Sequence, residues 1–600
     1  MSSDIRTDFI IIGVGPAGAA LAAFLGYNGL SGLAISKDSA TAETPRAHTF
    51  NPFAFECLRD VGIEDSAWEV ALHGKHFQSM RWSRSFVGEE YGRVRGWAEH
   101  PSSMGPTAAI SPCQYAELPQ SMLEPVLIKY ASHNGFNIRF STELIDVKPT
   151  KTNDGQREFL CSLFDRVTQQ PWQVRARYLF GADGARSQVA RSLDFQFDTK
   201  PSGNKACNVL IRADLSHLMH KERYAVLHWV LKPDQSTFSG VVAQLRVVRP
   251  WKEWVLVVFG PGGTNPFENM TIDDPRIADF AREVIGDSSI DVEVLRLDAW
   301  TVRESVAKCY VDSSTQAFIL GDAAHRHPPV YGLGSNTCVQ DAYNLAWKIL
   351  YVSKGLAGQG LLETYNAERQ PVGASLVRAA NDGFQSHAEI WGALGMFAPS
   401  PEEGLKHLDQ FYHASPEGAE RRAIIQNSLQ NIEREVQSLG IAHNQWYTSG
   451  AVYLHDEQSS RPVLHGDPVV NVQVTTYPGS RLPHAWLDIA TRGELRSTHD
   501  LAGKGAFCLF FGIGGERWKQ AANAVRKATG IPLNAYGVGF GLDYIDVDRD
   551  WCRKREVEEA GCVLVRPDRF VAWRSTKMIT DCEGKLLDVL NQVLSRTELR

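Results

Sequence analysis

The stretch DFIIIGVGPAGAALAAF, residues 8–24, carries the first clear structural signal of this 600-residue chain. Its apolar start predicts a buried strand, and the alanine-rich run after Gly18 predicts a helix. Gly13 permits a tight turn between them, Gly15 lets a ligand approach the backbone, and Gly18 allows close helix–strand packing. A plain glycine turn is the alternative. The strand before the turn and the helix after it favour a dinucleotide pyrophosphate at the helix N-terminus.

The kind of dinucleotide stays open at this point. A dinucleotide site usually ends its second strand with an acidic residue that binds the ribose hydroxyls. Here the run GLAI, residues 32–35, is followed by Ser36 and Lys37. Ser36 could hydrogen-bond a hydroxyl and Lys37 could face a phosphate, so both are candidate cofactor-binding residues.

Composition argues against several function classes. The net charge of −7 and the lack of a Lys/Arg block argue against a nucleic-acid partner. The ten cysteines never form C-x-x-C, which predicts reduced thiols in a cytoplasmic protein rather than disulfides or a zinc site. The glycine turn interrupts the apolar run of residues 9–26, so we expect neither a signal peptide nor a membrane span.

Two later segments also join an apolar strand to a glycine-containing turn. YLFGADGARS, residues 178–187, ends its strand with an Asp-Gly step at Asp183. AFILGDAAHRHPPVYGLGSN, residues 317–336, contains Asp322 and a Pro-Pro step that ends at Pro329. Apolar residues then recur at helical spacing. We therefore expect Ser335 to be the N-cap of a helix whose dipole favours negative charge at this turn.

In this order and spacing, the three motifs resemble those of the group A FAD-dependent aromatic hydroxylases. The stretches PRAH (45–48), SPCQYAELPQSMLEPVL (111–127), LHWVLKP (227–233) and VRPWKEW (248–254) narrow the resemblance to the phenol hydroxylase and 2,4-dichlorophenol 6-monooxygenase family. The resemblance covers nearly the whole chain and implies FAD as the cofactor. The candidate FAD-binding residues are Gly13, Gly15, Gly18, Ser36, Lys37, Arg46, Gln120, Asp183, Asp322, Pro329, Gly332, Gly334, Ser335 and Asn336.

The resemblance implies distinct roles for some of these residues. Asp322 would bind a ribityl hydroxyl, and the backbone of residues 334–336 would present N–H groups to the pyrimidine edge of the isoalloxazine ring. Gln120 matches a glutamine in the third helix of the family. Arg46 lies in the loop where the family brings an arginine to FAD.

The resemblance also implies an α/β fold: a Rossmann-like FAD-binding domain, an inserted, mostly antiparallel β-sheet domain for the substrate, and a C-terminal thioredoxin-like domain. Alternating, aromatic-rich strands between residues 190 and 300 agree with the sheet domain. The turn at residues 512–515 contains no cysteine, so we expect no dithiol chemistry in the last domain. The expected boundaries are 1–190 and 295–390 for the FAD-binding domain, 191–294 for the sheet domain, 391–450 for a helical connector and 451–600 for the C-terminal domain.

The implied activity is a monooxygenation in which NAD(P)H and O2 hydroxylate a phenolic ring, ortho to its hydroxyl, through a flavin 4a-hydroperoxide. A phenolate is a much better nucleophile than a phenol, so a base is needed near the phenol oxygen. His48 is the candidate base, with a hydrogen-bonded structural histidine as the alternative. Trp300 could wall the substrate pocket and Pro329 could shape the flavin loop. Arg303 could support the phenolate or form an ordinary salt bridge with Glu304 or another acid.

Several alternatives stay open from the sequence. The same cofactor could serve decarboxylative hydroxylation, dearomatisation or epoxidation of a natural-product aromatic compound. A flavin-binding protein without turnover is the rival from another class. His325 and His327 could bind a metal only with further ligands, and none cluster nearby in the sequence, so we expect no metal site. We expect a homodimer that binds a small aromatic substrate.

Overall fold

The computed structural model describes residues 5–596 apart from 98–100, 202, 221–222, 313–315, 328, 490 and 492. The strands, in chain order, are β1 (Ile5–Ile12), β2 (Gly32–Ile35), β3 (Thr49–Phe50), β4 (Ser79–Ser83), β5 (Glu90–Arg95), β6 (Ala116–Glu117), β7 (Phe136–Arg139), β8 (Thr142–Lys151), β9 (Arg157–Asp165), β10 (Gln170–Gly181), β11 (Phe197–Thr199), β12 (Lys205–Arg212), β13 (Leu227–Val230), β14 (Val242–Arg249), β15 (Glu253–Phe259), β16 (Glu293–Thr301), β17 (Ser305–Ala307), β18 (Val311–Asp312), β19 (Ala317–Ile319), β20 (His325–Arg326), β21 (Trp486–Leu487), β22 (Arg496–Ser497), β23 (Phe507–Phe511), β24 (Leu533–Gly537), β25 (Cys562–Val565) and β26 (Val571–Ser575). The helices are α1 (Pro16–Tyr27), α2 (Pro52–Asp60), α3 (Glu64–Val70), α4 (Pro101–Ile110), α5 (Gln120–His133), α6 (Gln188–Ser192), α7 (Pro275–Ile285), α8 (Gly334–Ser353), α9 (Gly360–Ala393), α10 (Pro401–Tyr412), α11 (Pro416–Val436), α12 (Leu439–His443), α13 (Thr498–Leu501), α14 (Glu516–Thr529), α15 (Asp550–Lys554) and α16 (Cys582–Val593).

A largely parallel sheet, with the strand order β18-β19-β10-β1-β2-β7, forms the centre of the first half of the fold. β1 pairs in parallel with β2 and β10, which places Ile12 beside Gly181. The part of β1 from Phe9 to Ile12 is buried, as expected for a central strand covered on both faces. The strand and the helix predicted around the first glycine motif are confirmed as β1 and α1.

A second sheet has the order β16-β12-β15-β14-β13-β4-β5 and is antiparallel except for the parallel β13–β4 pair. The expected boundaries 191–294 do not contain it, because β4 and β5 precede the Asp183 motif and β16 extends to Thr301. Strand pairing joins segments that are far apart in the chain, and no local pattern reveals it. Trp300 lies near the end of β16, whereas Arg303 lies in the segment between β16 and β17, so the two residues do not share a strand.

One long helix contains an internal proline. α9 runs without a break from Gly360 to Ala393 with Pro371 inside it. An internal proline removes one helical hydrogen bond, and packing of α9 against α8 and α11 offsets that loss. α9 also crosses residue 390, where the sequence analysis placed a domain boundary.

The C-terminal part contains a sheet with the order β24-β23-β25-β26. β23 is parallel to β24 and antiparallel to β25, and α14 and α16 pack together beside it. The turn at residues 512–515, which contains no cysteine, directly follows β23. All ten cysteines carry free thiols. Among the helices of the described residues, none has both the length and the apolar character that crossing a bilayer requires.

Candidate active site

The three glycine-containing motifs meet at one edge of the central sheet. Gly13 has a φ of +97°, and a Cβ atom there would lie 2.3 Å from the carbonyl oxygen of Ala182. Gly321 has a φ of +59°, and a Cβ atom there would lie 2.9 Å from the Cβ of Ala17 and 2.8 Å from the Sγ of Cys338. Only glycine fits at both positions. The first motif therefore contacts both later motifs, although they follow it by well over a hundred residues.

The Asp183 motif is held by its own side chain. The carboxylate of Asp183 accepts hydrogen bonds from Ser187 Oγ at 2.5 Å and from the backbone N–H of Gln188 at 2.6 Å. Burial raises the pKa of Asp183, and these hydrogen bonds oppose the effect. Asp183 thus shapes the turn that lies against Gly13.

The turn after the third motif opens onto free space at the start of α8. The helix begins at Gly334 with Leu333 as the N-cap, so the expectation that Ser335 is the N-cap is wrong, because Ser335 already lies in the first turn. A Cβ atom on Gly334 would meet nothing within 4 Å, while Ser335 and Asn336 are buried. Among the described residues, no acceptor pairs with the backbone N–H groups of these three. These N–H groups and the helix dipole suit the electron-rich edge of a flavin.

The side chain of Asn336 joins this turn to the loop that carries His48. Its Oδ1 accepts a hydrogen bond from the N–H of Asn51 at 2.8 Å. Its Nδ2 donates to the carbonyl oxygens of Thr49 at 2.8 Å and Gly332 at 2.5 Å. The sequence analysis considered only the backbone of Asn336. Its amide holds the candidate base loop and the candidate flavin loop in one fixed arrangement.

A second group of candidates lies at the start of α5, near Gly15. Gln120 Oε1 accepts a hydrogen bond from the N–H of Arg46 at 3.3 Å, and Gln120 Nε2 donates to Glu124 Oε1 at 2.6 Å. A Cβ atom on Gly15 would lie 3.8 Å from Glu124 Oε1. Glu124 is buried, and burial raises its pKa. The structure therefore brings Gly15, Gln120 and Arg46 together and adds Glu124, which the sequence analysis missed although it lies within the quoted stretch 111–127.

The remaining candidate FAD-binding residues, Ser36, Lys37, Asp322 and Pro329, differ in their exposure. Ser36 is buried and accepts a hydrogen bond from the N–H of Asp38 at 3.2 Å, and Lys37 is exposed. Asp322 and Pro329 are also exposed, so their side chains are free to meet a ligand. Pro328 lies outside the described residues. These positions and the open N-termini of α1 and α8 fit an elongated, phosphate-bearing cofactor.

The two histidines of the third motif differ in burial, because His325 is buried and His327 is half-buried. His325 is buried, and its Nε2 lies 2.8 Å from Asp341 Oδ2. Asp341 also accepts a hydrogen bond from Arg369 Nε at 2.7 Å. His325 therefore anchors the loop to α8 and α9. The described residues contain no group of three or more side chains arranged as metal ligands.

His48 belongs to a buried polar cluster. Its Nδ1 lies 3.2 Å from Glu117 Oε1. Arg246 donates from Nε to Glu117 Oε1 at 2.7 Å and from Nη2 to Glu117 Oε2 at 2.8 Å. Arg246 Nη2 also donates to Thr49 Oγ1 at 2.7 Å. Glu117 of β6 contacts His48, and Arg246 of β14 joins the cluster through Glu117 and Thr49; neither residue was among those predicted from the sequence.

The cluster sets the protonation of its members. Burial lowers the pKa of His48 to about 4, and Arg246 acts in the same direction, while Glu117 opposes both. Burial would raise the pKa of Glu117, but the charge and hydrogen bonds of Arg246 and the contact with His48 hold it at about 2. At neutral pH the imidazole is therefore neutral and able to accept a proton, beside a carboxylate paired with a guanidinium group.

Trp300 and Arg303 face different surroundings. Trp300 Nε1 donates to Asn208 Oδ1 at 2.8 Å, and its ring packs edge-on against Phe259. Glu304 pairs with Lys200 at 2.7 Å, not with Arg303. The exposed Arg303 lines a groove near the Asp183 motif together with three further arginines, Arg186, Arg191 and Arg326. None of the four guanidinium groups forms an ion pair with a carboxylate within the part of the chain that the structure describes.

Comparison with known proteins agrees with this geometry. Two family models match the chain: FAD binding domain over residues 6–380, and Aromatic-ring hydroxylase, C-terminal, over residues 475–597. The chain belongs to the FAD-dependent aromatic-ring hydroxylases. Phenol 2-monooxygenase of Pseudomonas sp. (strain EST1001) is 38% identical to the hydroxylase over 590 residues, 98% of this chain and 93% of that protein. The 2,4-dichlorophenol 6-monooxygenase of Delftia acidovorans is 34% identical over 593 residues, 98% of either chain.

The solved structures show the same relationship. The flavin-dependent monooxygenase PieE, in complex with FAD and substrate, superposes on the hydroxylase with a TM-score of 0.90 at 34% identity, covering 99% of this chain and 100% of that one. The hydroxylase is thus a flavoprotein monooxygenase with a mixed α/β fold, FAD as its cofactor, and NAD(P)H and O2 as co-substrates. The predicted family, enzyme class and cofactors are confirmed. The roles of individual residues remain predictions.

Proposed function

We propose that the hydroxylase adds one oxygen atom to a phenolic ring, ortho to its hydroxyl, and that His48 is the base. The observation that carries the proposal is the cluster of His48, Glu117 and Arg246, which the amide of Asn336 joins to the start of α8. The cluster supplies a proton acceptor and a cation beside the turn that suits the flavin. That pairing suits a substrate that must lose a proton and then carry negative charge.

FAD, when bound and reduced by NAD(P)H, supplies the activated oxygen. The residues of this chain prepare the phenol. Nδ1 of His48 lies 3.2 Å from Glu117 Oε1, so Nε2 is the nitrogen that takes the proton from the phenol hydroxyl. Arg246 commits Nε and Nη2 to Glu117 and Thr49, which leaves Nη1 to donate to the phenolate oxygen. Because Glu117 stays ionised, it stabilises the imidazolium that forms.

The test is the pH dependence of kcat/KM for a phenol in the His48→Ala variant. A free phenol has a pKa near 10, so few phenolate ions exist at neutral pH. We expect a loss of about 100-fold or more near pH 6.5, which becomes smaller as the pH rises towards 9. The exposed His413 provides the control, and His413→Ala should match the unmodified enzyme. A His48→Ala variant with unchanged kcat/KM at every pH would remove His48 as the base.

A simpler measurement tests the alternative of a flavin-binding protein without turnover. The purified protein should be yellow, and its NAD(P)H oxidation should rise when phenols are added. Product analysis by mass spectrometry then separates ortho hydroxylation from decarboxylative hydroxylation, dearomatisation and epoxidation. A flavin that is indifferent to every phenol would contradict the proposed function.

The remaining assignments rest on position. We assign Trp300 to the wall of the substrate chamber, and the exposed Pro329 and half-buried Gly332 to the loop beside the flavin ring. Arg303 lies beside three other arginines, so we assign it to the phosphate groups of NAD(P)H and not to the phenolate.

The finer features of architecture also remain proposals. The order of β23, α14, β24, β25, β26 and α16 supports a thioredoxin-like C-terminal domain, whose structural role is consistent with the burial of Cys508, Cys562 and Cys582. We propose a cytoplasmic homodimer, which light scattering of the purified protein would test.

A further inference from the structure

Half-buried side chains at the centre of the second sheet indicate an opening on the face that is turned towards the FAD-binding domain. Arg246 lies on this face, because its side chain reaches Glu117 and Thr49. Gln244, two residues away on β14, points to the same side. Gln244 and its partner Val257 are only half-buried, although β14 and β15 are inner strands of the sheet. Inner strands keep exposed side chains on a covered face only where a chamber lies above them.

Two amide side chains flank this opening. Val257 pairs with Gln244 on one side and with Asn208 of β12 on the other. At a strand spacing of about 4.8 Å, the two amide-bearing residues lie roughly 10 Å apart across Val257. Trp300 Nε1 donates to Asn208 Oδ1, which leaves Asn208 Nδ2 available. Within the described chain, no hydrogen-bond partner is found for the amide of Gln244.

The surroundings of Gln244 are mainly aromatic, with His387 as a polar neighbour of Trp229. Gln244 is paired in register with Trp229, which pairs in turn with Trp82. The ring of Trp229 packs against Phe259 and against Trp391 of α9. A polar amide in such surroundings costs stability unless it gains a partner, and hydrogen bonds to a bound ligand would compensate that cost.

We propose that Gln244 and Asn208 form an amide pair that recognises a second polar substituent on the phenolic ring of the substrate. This inference rests on the proposed function and adds the substrate class: phenols that carry a carbonyl or a further hydroxyl group, in preference to alkyl- or halogen-substituted phenols. Gln244 lies about 7 Å along the strand from Arg246. A single ring can therefore direct its hydroxyl to His48 and Arg246 and its substituent to the amide pair.

The amide pair determines specificity by rejection as well as by attraction. An apolar substituent would bury the amide of Gln244 without a partner, and sites built for hydrogen bonds reject such analogues strongly. A purely apolar chamber discriminates far less between substituents of equal size. The pair thus explains why an amide is placed among tryptophans.

The experiment measures binding to the oxidised, FAD-loaded enzyme through the change in flavin absorbance. Two phenols of similar shape serve as probes, 3-hydroxyacetophenone and 3-isopropylphenol. We expect the unmodified enzyme to bind the ketone more tightly. In the Gln244→Met variant, the ratio of the two Kd values should fall at least about tenfold. Gln173→Met, at an exposed position of β10 in the other sheet, is the matched control and should keep the preference.

An unchanged ratio of the two Kd values in Gln244→Met overturns the amide pair. An Asn208→Ser variant provides the second test, with a loss of preference in the same direction, and an unchanged ratio there also counts against the pair. The proposed function is tested separately, by phenol-stimulated NAD(P)H oxidation in the unmodified enzyme. A positive result there with unchanged Kd ratios would retain the function and discard the pair.

Discussion

Asn336 shows how one residue can hold the site together. Its backbone N–H faces the opening at the start of α8, and its side chain bonds to Asn51, Thr49 and Gly332. The His48 loop and the candidate flavin loop therefore move as one unit. A base placed within reach of a phenol works only if its distance from the flavin is fixed, because small displacements cost large factors in rate.

At the same scale, substitution of Arg303 distinguishes between two possible roles of this residue, binding of the NAD(P)H phosphate groups and support of the phenolate. If it binds the phosphate groups of NAD(P)H, Arg303→Ala should raise the KM for NAD(P)H about tenfold or more, since a charge-assisted hydrogen bond contributes about 1.5 to 3 kcal/mol. The KM for the phenol and the flavin content should stay unchanged. Steady-state kinetics at low and high salt measures this, with the exposed Lys200→Ala as control. A selective rise in the KM for the phenol would return Arg303 to the phenolate.

At the scale of elements, the site depends on how closely α1, α8 and the turn between β19 and β20 approach each other. Gly321 lies between Ala17 of α1 and Cys338 of α8, and α8 is buried from Ser335 to Val352. The N-terminal turns of both helices therefore lie close to Gly321. Such convergence is a property of packed elements, because neither helix alone positions the other.

We therefore expect Gly321→Ala to disturb both stability and flavin binding. The φ of +59° and contacts of 2.8 and 2.9 Å leave no room for a Cβ atom. Overpacking of this kind costs about 1 to 3 kcal/mol. Thermal unfolding and the ratio of flavin to protein should both fall. Gly450, where a Cβ atom meets nothing within 4 Å, provides the control Gly450→Ala. Equal flavin content in the two variants would contradict the packing argument.

At the scale of the whole molecule, buried ion pairs join the C-terminal part to α8 and α9. Arg566 donates to Glu368 at 2.6 Å and to Asp568 at 2.5 Å, and Lys348 donates to Glu368 at 2.7 Å. The side chains of these residues are at most 1% exposed. Burial lowers the pKa of Lys348 to about 8, and Glu368 limits that fall. The C-terminal part therefore supports the helix that begins at the flavin turn.

Removal of one partner should show this coupling. In Arg566→Met, the buried carboxylates of Glu368 and Asp568 lose their guanidinium partner. This loss should lower the free energy of unfolding by about 3 to 5 kcal/mol. We expect a lower midpoint in urea, with flavin release and loss of helical signal in one transition. Arg553→Met, at a side chain that is 66% exposed, is the control. Separate transitions for flavin release and for the C-terminal part would contradict the coupling.

Buried histidines should make stability depend on pH. Burial lowers the pKa of His228, His443 and His484 to about 3, from 6.5. The unfolded chain then binds more protons than the folded one below pH 6.5, so stability is lost as the pH falls. Each histidine contributes about 2 kcal/mol to the loss at pH 5. Urea unfolding between pH 8 and 5 measures this, and an unchanged midpoint between pH 7 and 5 would contradict it.

The sequence by itself determined the cofactor motifs, the family and the type of most elements, because glycine turns and hydrophobic periodicity are local properties. It also indicated His48, which lies within a short recognisable stretch. Only the tertiary structure decided that Glu117 and Arg246 form a cluster with His48, that β4 and β5 join the second sheet, and that Gln244 is half-buried on an inner strand. Those facts depend on which distant segments pair and which side chains become buried, and burial sets both the pKa of His48 and the cost of an unpaired amide.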